Sequence, residues 1–140
     1  MYRFAYYKKK EYILALILLF VGGMIYLLYR PQSILLFRAT DALGLAPYIS
    51  SLRESASSAI LPSILINSVP AGLWTASYLI LMYCNTKFYN KKTRMMLSLP
   101  LPVSMIVLEF MQLVGWCPGT FDFYDLICYV IPLIIFIKSI

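Results

Sequence analysis

The sequence of 140 residues contains no histidine and only six acidic residues. Without histidine it lacks the most versatile catalytic base and a principal zinc and haem ligand. Its three cysteines, Cys84, Cys117 and Cys128, follow no metal-ligand spacing. The Gly-x-Ser-x-Gly and His-Glu-x-x-His motifs are missing as well. We therefore expect no metal and no cofactor, and neither a serine hydrolase nor a metalloprotease.

Charge is also scarce, because 13% of the residues are charged whereas 61% are hydrophobic. Soluble domains are roughly 45–50% apolar, so the composition predicts an integral membrane protein. The length fits one membrane domain, residues 1–140, without a separate soluble catalytic unit. The net charge of +6 does not indicate nucleic-acid binding, since basic and aromatic residues do not interleave in a soluble module. We predict no nucleic-acid partner.

Long apolar runs predict an all-α polytopic protein with four transmembrane helices. The predicted spans are about 12–29, 69–85, 95–114 and 122–137. The first ends in Tyr29-Arg30-Pro31 rather than in small residues, so we expect it to stay uncleaved. Pro100 and Pro102 predict a kink in the third span or a late start.

Residues 30–68 form the predicted first outer loop and contain no run long enough to span a membrane. An amphipathic helix near 33–43, lying in the membrane interface, is one interpretation of this loop. Gly44, Pro47 and the serine-rich stretch 50–58 are then expected to break that helix. A packed loop is the alternative, and the apolar piece before the second span could be re-entrant.

Basic residues mark one side of the membrane. They cluster in Lys8-Lys9-Lys10, in the connector from Lys87 to Arg94, and at Lys138. Because cytoplasmic loops carry an excess of lysine and arginine, we predict that both termini are cytoplasmic. The acidic turn before the fourth span would then face outward.

Three acids gather around that turn. Glu109 lies inside the third apolar span, Gln112 follows one helical turn later, and Asp122 and Asp125 begin the fourth span. An ionisable residue in an apolar span is a candidate functional residue. In the alternative interpretation the aspartates only cap a helix, and Glu109 pairs with an arginine of the outer loop.

Other side chains could complete such a site. Arg38 and Arg53 of the outer loop suit phosphate, since a guanidinium group is permanently charged and can donate two hydrogen bonds to one phosphate. Trp74 is an amphipathic aromatic residue near the outer end of the second span. Its alternative role is interfacial anchoring and helix packing.

The order of these polar residues resembles that of the VanZ-like family of small bacterial membrane proteins. The resemblance lies in Glu109-x-x-Gln112, a short turn and Asp122-x-x-Asp125, together with the proline-glycine-tryptophan segment in 67–74. These motifs lie in about the last half of the chain. The resemblance implies a multi-pass protein of the bacterial plasma (inner) membrane, linked to glycopeptide antibiotic susceptibility, without a settled biochemical activity.

We therefore expect a non-enzymatic envelope protein with an acidic site in the outer leaflet. Its expected partners are a membrane lipid headgroup, a lipid-linked cell-wall precursor or another membrane protein. An intramembrane hydrolase that uses two acids, by analogy with four-span lipoprotein signal peptidases, is one alternative. A proton-coupled transporter or channel subunit built around Glu109 is another.

Overall fold

The computed structural model describes the backbone of residues 2–31 and 35–140, and the side chains of residues 9–31 and 37–140. This described part of the chain is helical and contains no strand, which confirms the all-α prediction. It forms eight helices: α1 (Tyr2–Tyr29), α2 (Leu35–Ala42), α3 (Ala46–Ala56), α4 (Ser63–Asn67), α5 (Val69–Asn85), α6 (Lys91–Ser98), α7 (Pro100–Leu113) and α8 (Phe123–Ser139).

Helix α1 carries the strongest membrane signal. Its segment Lys9–Tyr29 is the one described helix that is long and apolar enough to cross a membrane by itself. The bent pair α6 and α7 would add a second candidate if the two form one span. By length and composition, the described helices therefore include one candidate span, or two with the bent pair.

Helix α5 lies at the centre of the bundle, where it packs extensively against α1 and α8, and α7 packs against α8. Glycine permits the close approaches. A Cβ atom on Gly72 would come within 3.0 Å of the Cβ atom of Cys128 in α8. The buried hydroxyl of Ser77 also donates to the Ala15 carbonyl of α1, at 2.8 Å. Helices α1, α5 and α8 thus form the core of the bundle.

The segment predicted as a third span consists of two helices. Helices α6 and α7 meet at an angle of 47°, with Leu99 between them. Pro100 begins α7, and proline opposes a straight continuation because it lacks an amide hydrogen and its ring clashes with the preceding turn. Asn90 caps α6 by accepting from the amide of Thr93 at 2.9 Å.

The outer loop 30–68 is mostly helical. Helix α2 lies within the predicted amphipathic segment 33–43, whose residues 33 and 34 are outside the described residues. Helix α2 ends at Ala42 and the chain turns at Gly44, whose φ is 69°, which is where the predicted break begins. A new helix, α3, then starts at Ala46 and runs through Pro47 and most of the serine-rich stretch. Pro47 sits in the first turn of α3, where a missing amide hydrogen costs no helical hydrogen bond.

Candidate functional site

The bundle forms a half-open cavity of about 370 Å³ where the carboxyl end of α1 meets the amino ends of α5 and α8. Helix α7 closes one side. The described residues that line the cavity are Tyr26, Arg30, Asn67, Pro70, Ala71, Trp74, Thr75, Leu101, Met105, Asp125 and Tyr129. The lining thus combines one arginine and one aspartate with three aromatic rings and several apolar side chains.

Arg30 follows the last turn of α1 and faces the cavity. Its Nη2 donates to the Asn67 carbonyl at 3.0 Å, and its guanidinium lies over the Tyr26 ring, 5.4 Å from the centroid. Its Nε is buried and has no hydrogen-bond partner in the described part of the chain. The side chain is therefore held in place while one donor remains available.

Asp125 lies in the first turn of α8 and faces Arg30 across the cavity. Its Oδ1 is buried without a hydrogen-bond partner among the described residues, and so is the hydroxyl of Ser68. Ser68 lies behind the cavity lining, within reach of a side-chain hydrogen bond to the Asp125 carboxylate, and Arg30 interacts with that carboxylate electrostatically. Buried polar atoms in native proteins almost always have partners, so the unpartnered Arg30 Nε and Asp125 Oδ1 at one cavity indicate capacity for a ligand or water.

Aromatic residues form another part of the wall. Trp74 packs against Tyr26 with ring centroids 5.1 Å apart, and its Nε1 donates to the Leu19 carbonyl at 3.3 Å. Tyr129 lies on α8, one helical turn after Asp125, and is 5% exposed. The anchored indole and the buried phenol give the cavity a rigid apolar flank.

Glu109 lies beside the start of α8 and does not line the cavity. It is 6% exposed, and its Oε2 accepts from the amide of Asp122 at 3.5 Å. Asp122 in turn caps α8 by accepting from the amide of Tyr124 at 2.8 Å. Glu109 and Asp122 therefore connect α7 to the first turn of α8, and Asp122 has the geometry of the capping alternative.

Gln112 packs against the turn that joins α7 to α8. A Cβ atom on Gly119 would lie 2.9 Å from its Cδ and Nε2 atoms. Gly119 also has a φ of 130°, a conformation that favours glycine. Gln112 thus supports the connection between the two helices and stands apart from the cavity lining.

The two predicted phosphate ligands lie elsewhere. Arg53 of α3 donates from Nη1 to the carbonyls of Leu27, at 2.5 Å, and Arg30, at 2.9 Å. It therefore neutralises the exposed carbonyl end of α1. Arg38 is exposed on α2, beside a separate shallow pocket that it shares with Asp41. Among the predicted site residues, Asp125 and Trp74 are the ones that line the main cavity.

Arg30 and Tyr129 were missing from the predicted site. The sequence holds one signal for Arg30. It is an arginine at the end of the first predicted span that the predicted topology places outside, against the usual bias of basic residues toward the cytoplasm. Tyr129 gives no comparable signal, because a tyrosine inside an apolar helix has many packing roles. Within the described residues, no group of three acids or cysteines could hold a metal ion.

Comparison with known proteins assigns no relative to this chain. No family model, no curated protein and no solved structure matches it. The resemblance to the VanZ-like family therefore remains a prediction from the motifs around Glu109, Asp122 and Trp74. The function must be argued from the cavity.

Proposed function

We propose that this chain is a multi-pass membrane protein of the bacterial envelope, similar to the VanZ-like family, that binds a polar headgroup in the α1, α5 and α8 cavity. The headgroup belongs to a membrane lipid or a lipid-linked envelope precursor. The observation that carries the proposal is a pair of buried polar atoms without partners among the described residues, Arg30 Nε and Asp125 Oδ1, at a cavity inside an apolar bundle.

The outer surface of the bundle supports a membrane location. Only 11% of the most apolar stretch of α1 is buried. Large side chains such as Phe20 (68% exposed) and Ile135 (64% exposed) point away from the described bundle. Soluble monomers rarely expose apolar patches beyond a few hundred Å², whereas lipid would cover such a surface.

Helix lengths are compatible with four spans. Helices α5 and α8 have 17 residues each, at the lower limit of about 17–25 residues for a transmembrane helix. The bent pair α6 and α7 supplies the remaining crossing. In this topology the carboxyl end of α1 and the amino ends of α5 and α8 lie on the outer side, which opens the cavity toward outer-leaflet headgroups.

Cysteine labelling tests this topology. Cys117 and Cys128 are both half-buried, but Cys117 lies in the turn between α7 and α8 whereas Cys128 lies within α8, and Cys84 is buried. A membrane-impermeant maleimide should label Cys117 on right-side-out spheroplasts. In a Cys117→Ser background, Tyr89→Cys in the exposed connector between α5 and α6 should react only after lysis. Labelling of Tyr89→Cys in intact spheroplasts would contradict the four-span arrangement.

Binding fits the geometry better than acid-pair catalysis does. A two-acid hydrolase needs both carboxylates at one substrate. Here Asp125 lines the cavity, while Glu109 is turned to the Asp122 amide. The two acids therefore face different partners, and the cavity offers one carboxylate and one guanidinium instead.

Native mass spectrometry of the purified protein tests the bound headgroup. We expect a lipid or glycolipid to copurify with the wild type and to be lost from Asp125→Asn and Arg30→Gln. Asp41→Asn and Lys92→Gln remove charge from exposed sites outside the cavity and should keep the bound species. Identical spectra for all five proteins would refute a headgroup site in this cavity.

A further inference from the structure

The cavity presents opposite charges on separate walls. Arg30 extends from the end of α1, and Asp125 from the first turn of α8. The two groups interact electrostatically, yet Arg30 Nε and Asp125 Oδ1 each lack a hydrogen-bond partner among the described residues. A ligand that carries both a negative and a positive group would satisfy both walls at once.

The Arg30 side suits a phosphate. Guanidinium binds phosphate oxygens through several N–H groups in a fixed plane. Its Nη2 is already used by the Asn67 carbonyl, and stacking on Tyr26 fixes the plane. The unpartnered Nε therefore leaves one donor of this fixed guanidinium for a phosphate oxygen.

The Asp125 side suits a cation with N–H groups. Even with the Ser68 hydroxyl within hydrogen-bond reach of the carboxylate, the unpartnered Oδ1 has room for a further donor. Trp74 and Tyr129 border the same cavity, and aromatic faces attract cations. A primary ammonium can donate to Oδ1, whereas a trimethylated ammonium cannot. The unfilled acceptor therefore favours an ethanolamine group over choline.

We propose that the cavity recognises a zwitterionic phosphoethanolamine headgroup, with its phosphate on Arg30 and its ammonium on Asp125 between Trp74 and Tyr129. The inference rests on the proposed headgroup binding and specifies its chemistry. The volume is sufficient, since about 370 Å³ corresponds to roughly a dozen water molecules at about 30 Å³ each. The apolar side chains of Leu101 and Met105 border the same cavity and suit the start of an acyl chain.

Short-chain lipids allow the test on the intact protein in detergent. The ligands are dihexanoyl phosphatidylethanolamine, phosphatidylglycerol and phosphatidylcholine, together with free phosphoethanolamine, and binding is measured by fluorescence titration. We expect the ethanolamine lipid to bind at least about ten-fold more tightly than the other two lipids, since only its ammonium can donate a charge-assisted hydrogen bond. Free phosphoethanolamine should bind more weakly than the ethanolamine lipid because it lacks the acyl chains.

The variants separate the two ends of the headgroup. Asp125→Asn should remove the preference for ethanolamine over glycerol, whereas Arg30→Gln should weaken both lipids alike. Asp41→Asn, an exposed acid outside the cavity, should retain the wild-type preference. Asp125→Asn keeps the shape of the side chain and an oxygen that can accept from Ser68, so it decides the question even if Arg30→Gln fails to fold.

Each failure has a distinct meaning. Equal affinity for the ethanolamine and glycerol lipids, unchanged by Asp125→Asn, would overturn the zwitterion and leave the proposed headgroup site. Equal affinity for the choline and ethanolamine lipids would overturn the hydrogen bond from a primary ammonium to Asp125. Free phosphoethanolamine bound as tightly as the lipid would overturn the lipid as its source. Absence of binding by every ligand would overturn both the inference and the proposed function.

Discussion

Two adjacent glycines in α1 provide a matched test of the packing that shapes the cavity. A Cβ atom on Gly22 would lie 2.7 Å from Nε1 and 2.9 Å from Cδ1 of Trp74, and 3.2 Å from the Pro70 carbonyl oxygen. A Cβ atom on Gly23 would meet no atom of the described structure within 4 Å. Alanine therefore adds the same methyl group to a closed site and to an open one.

The expected free energies differ in sign. Each substitution gains about 0.5–1 kcal/mol because alanine is a better helix former than glycine. Only Gly22→Ala introduces overpacking, which costs about 1–3 kcal/mol. Trp74 cannot easily retreat, since it is stacked on Tyr26 and bonded to the Leu19 carbonyl. The difference between the two variants should therefore be about 1–3 kcal/mol, the overpacking cost alone.

Thermal unfolding in detergent measures this difference. At about 2–4 °C per kcal/mol, Gly22→Ala should melt about 2–12 °C below Gly23→Ala. Tryptophan fluorescence in a Trp116→Phe background gives a local reading, because Trp116 is 78% exposed and Trp74 then remains alone. The emission should shift in Gly22→Ala only. Equal melting temperatures and unchanged emission in both variants would refute the α1 and α5 contact described above.

Substitutions at three further positions test single contacts. Ser77→Ala removes the buried hydrogen bond to the Ala15 carbonyl and should lower the free energy of unfolding by about 1 kcal/mol. Thermal unfolding measures this loss, and an unchanged melting temperature would show that the contact contributes nothing. Asp122→Ala should lose the cap of α8, at about 0.5–2 kcal/mol, whereas Asp122→Asn should retain most of it. Hydrogen exchange at the Tyr124 amide distinguishes these two variants, and equal exchange would argue against the cap. Arg53→Gln should release α3 and speed exchange across it. Arg53→Lys should preserve part of the contact, because both hydrogen bonds come from one nitrogen, Nη1, and an ammonium also carries several donors on one nitrogen.

The helices were largely predictable from local signals. The predicted bounds 69–85 coincide with α5, and 122–137 lies within two residues of α8 at each end. Pro70 and Asp122 mark these starts within one turn of sequence, which is why the bounds could be placed. Ser68 precedes α5 but makes no side-chain cap. The outer loop was harder, because α3 is exposed and polar. Its contact with α1 through Arg53 joins distant parts of the chain.

The cavity was predictable only in part, because two arginines of similar appearance in the sequence make different contacts in the folded chain. The sequence offers Arg30 and Arg53 as similar basic residues of one loop. In the folded chain Arg53 neutralises the carbonyl end of α1, including the carbonyl of Arg30 itself. The Arg30 side chain is then free to turn toward Asn67 and the cavity, opposite Asp125. That arrangement exists only because α1 and α8 both pack on α5, and no spacing within either helix encodes it.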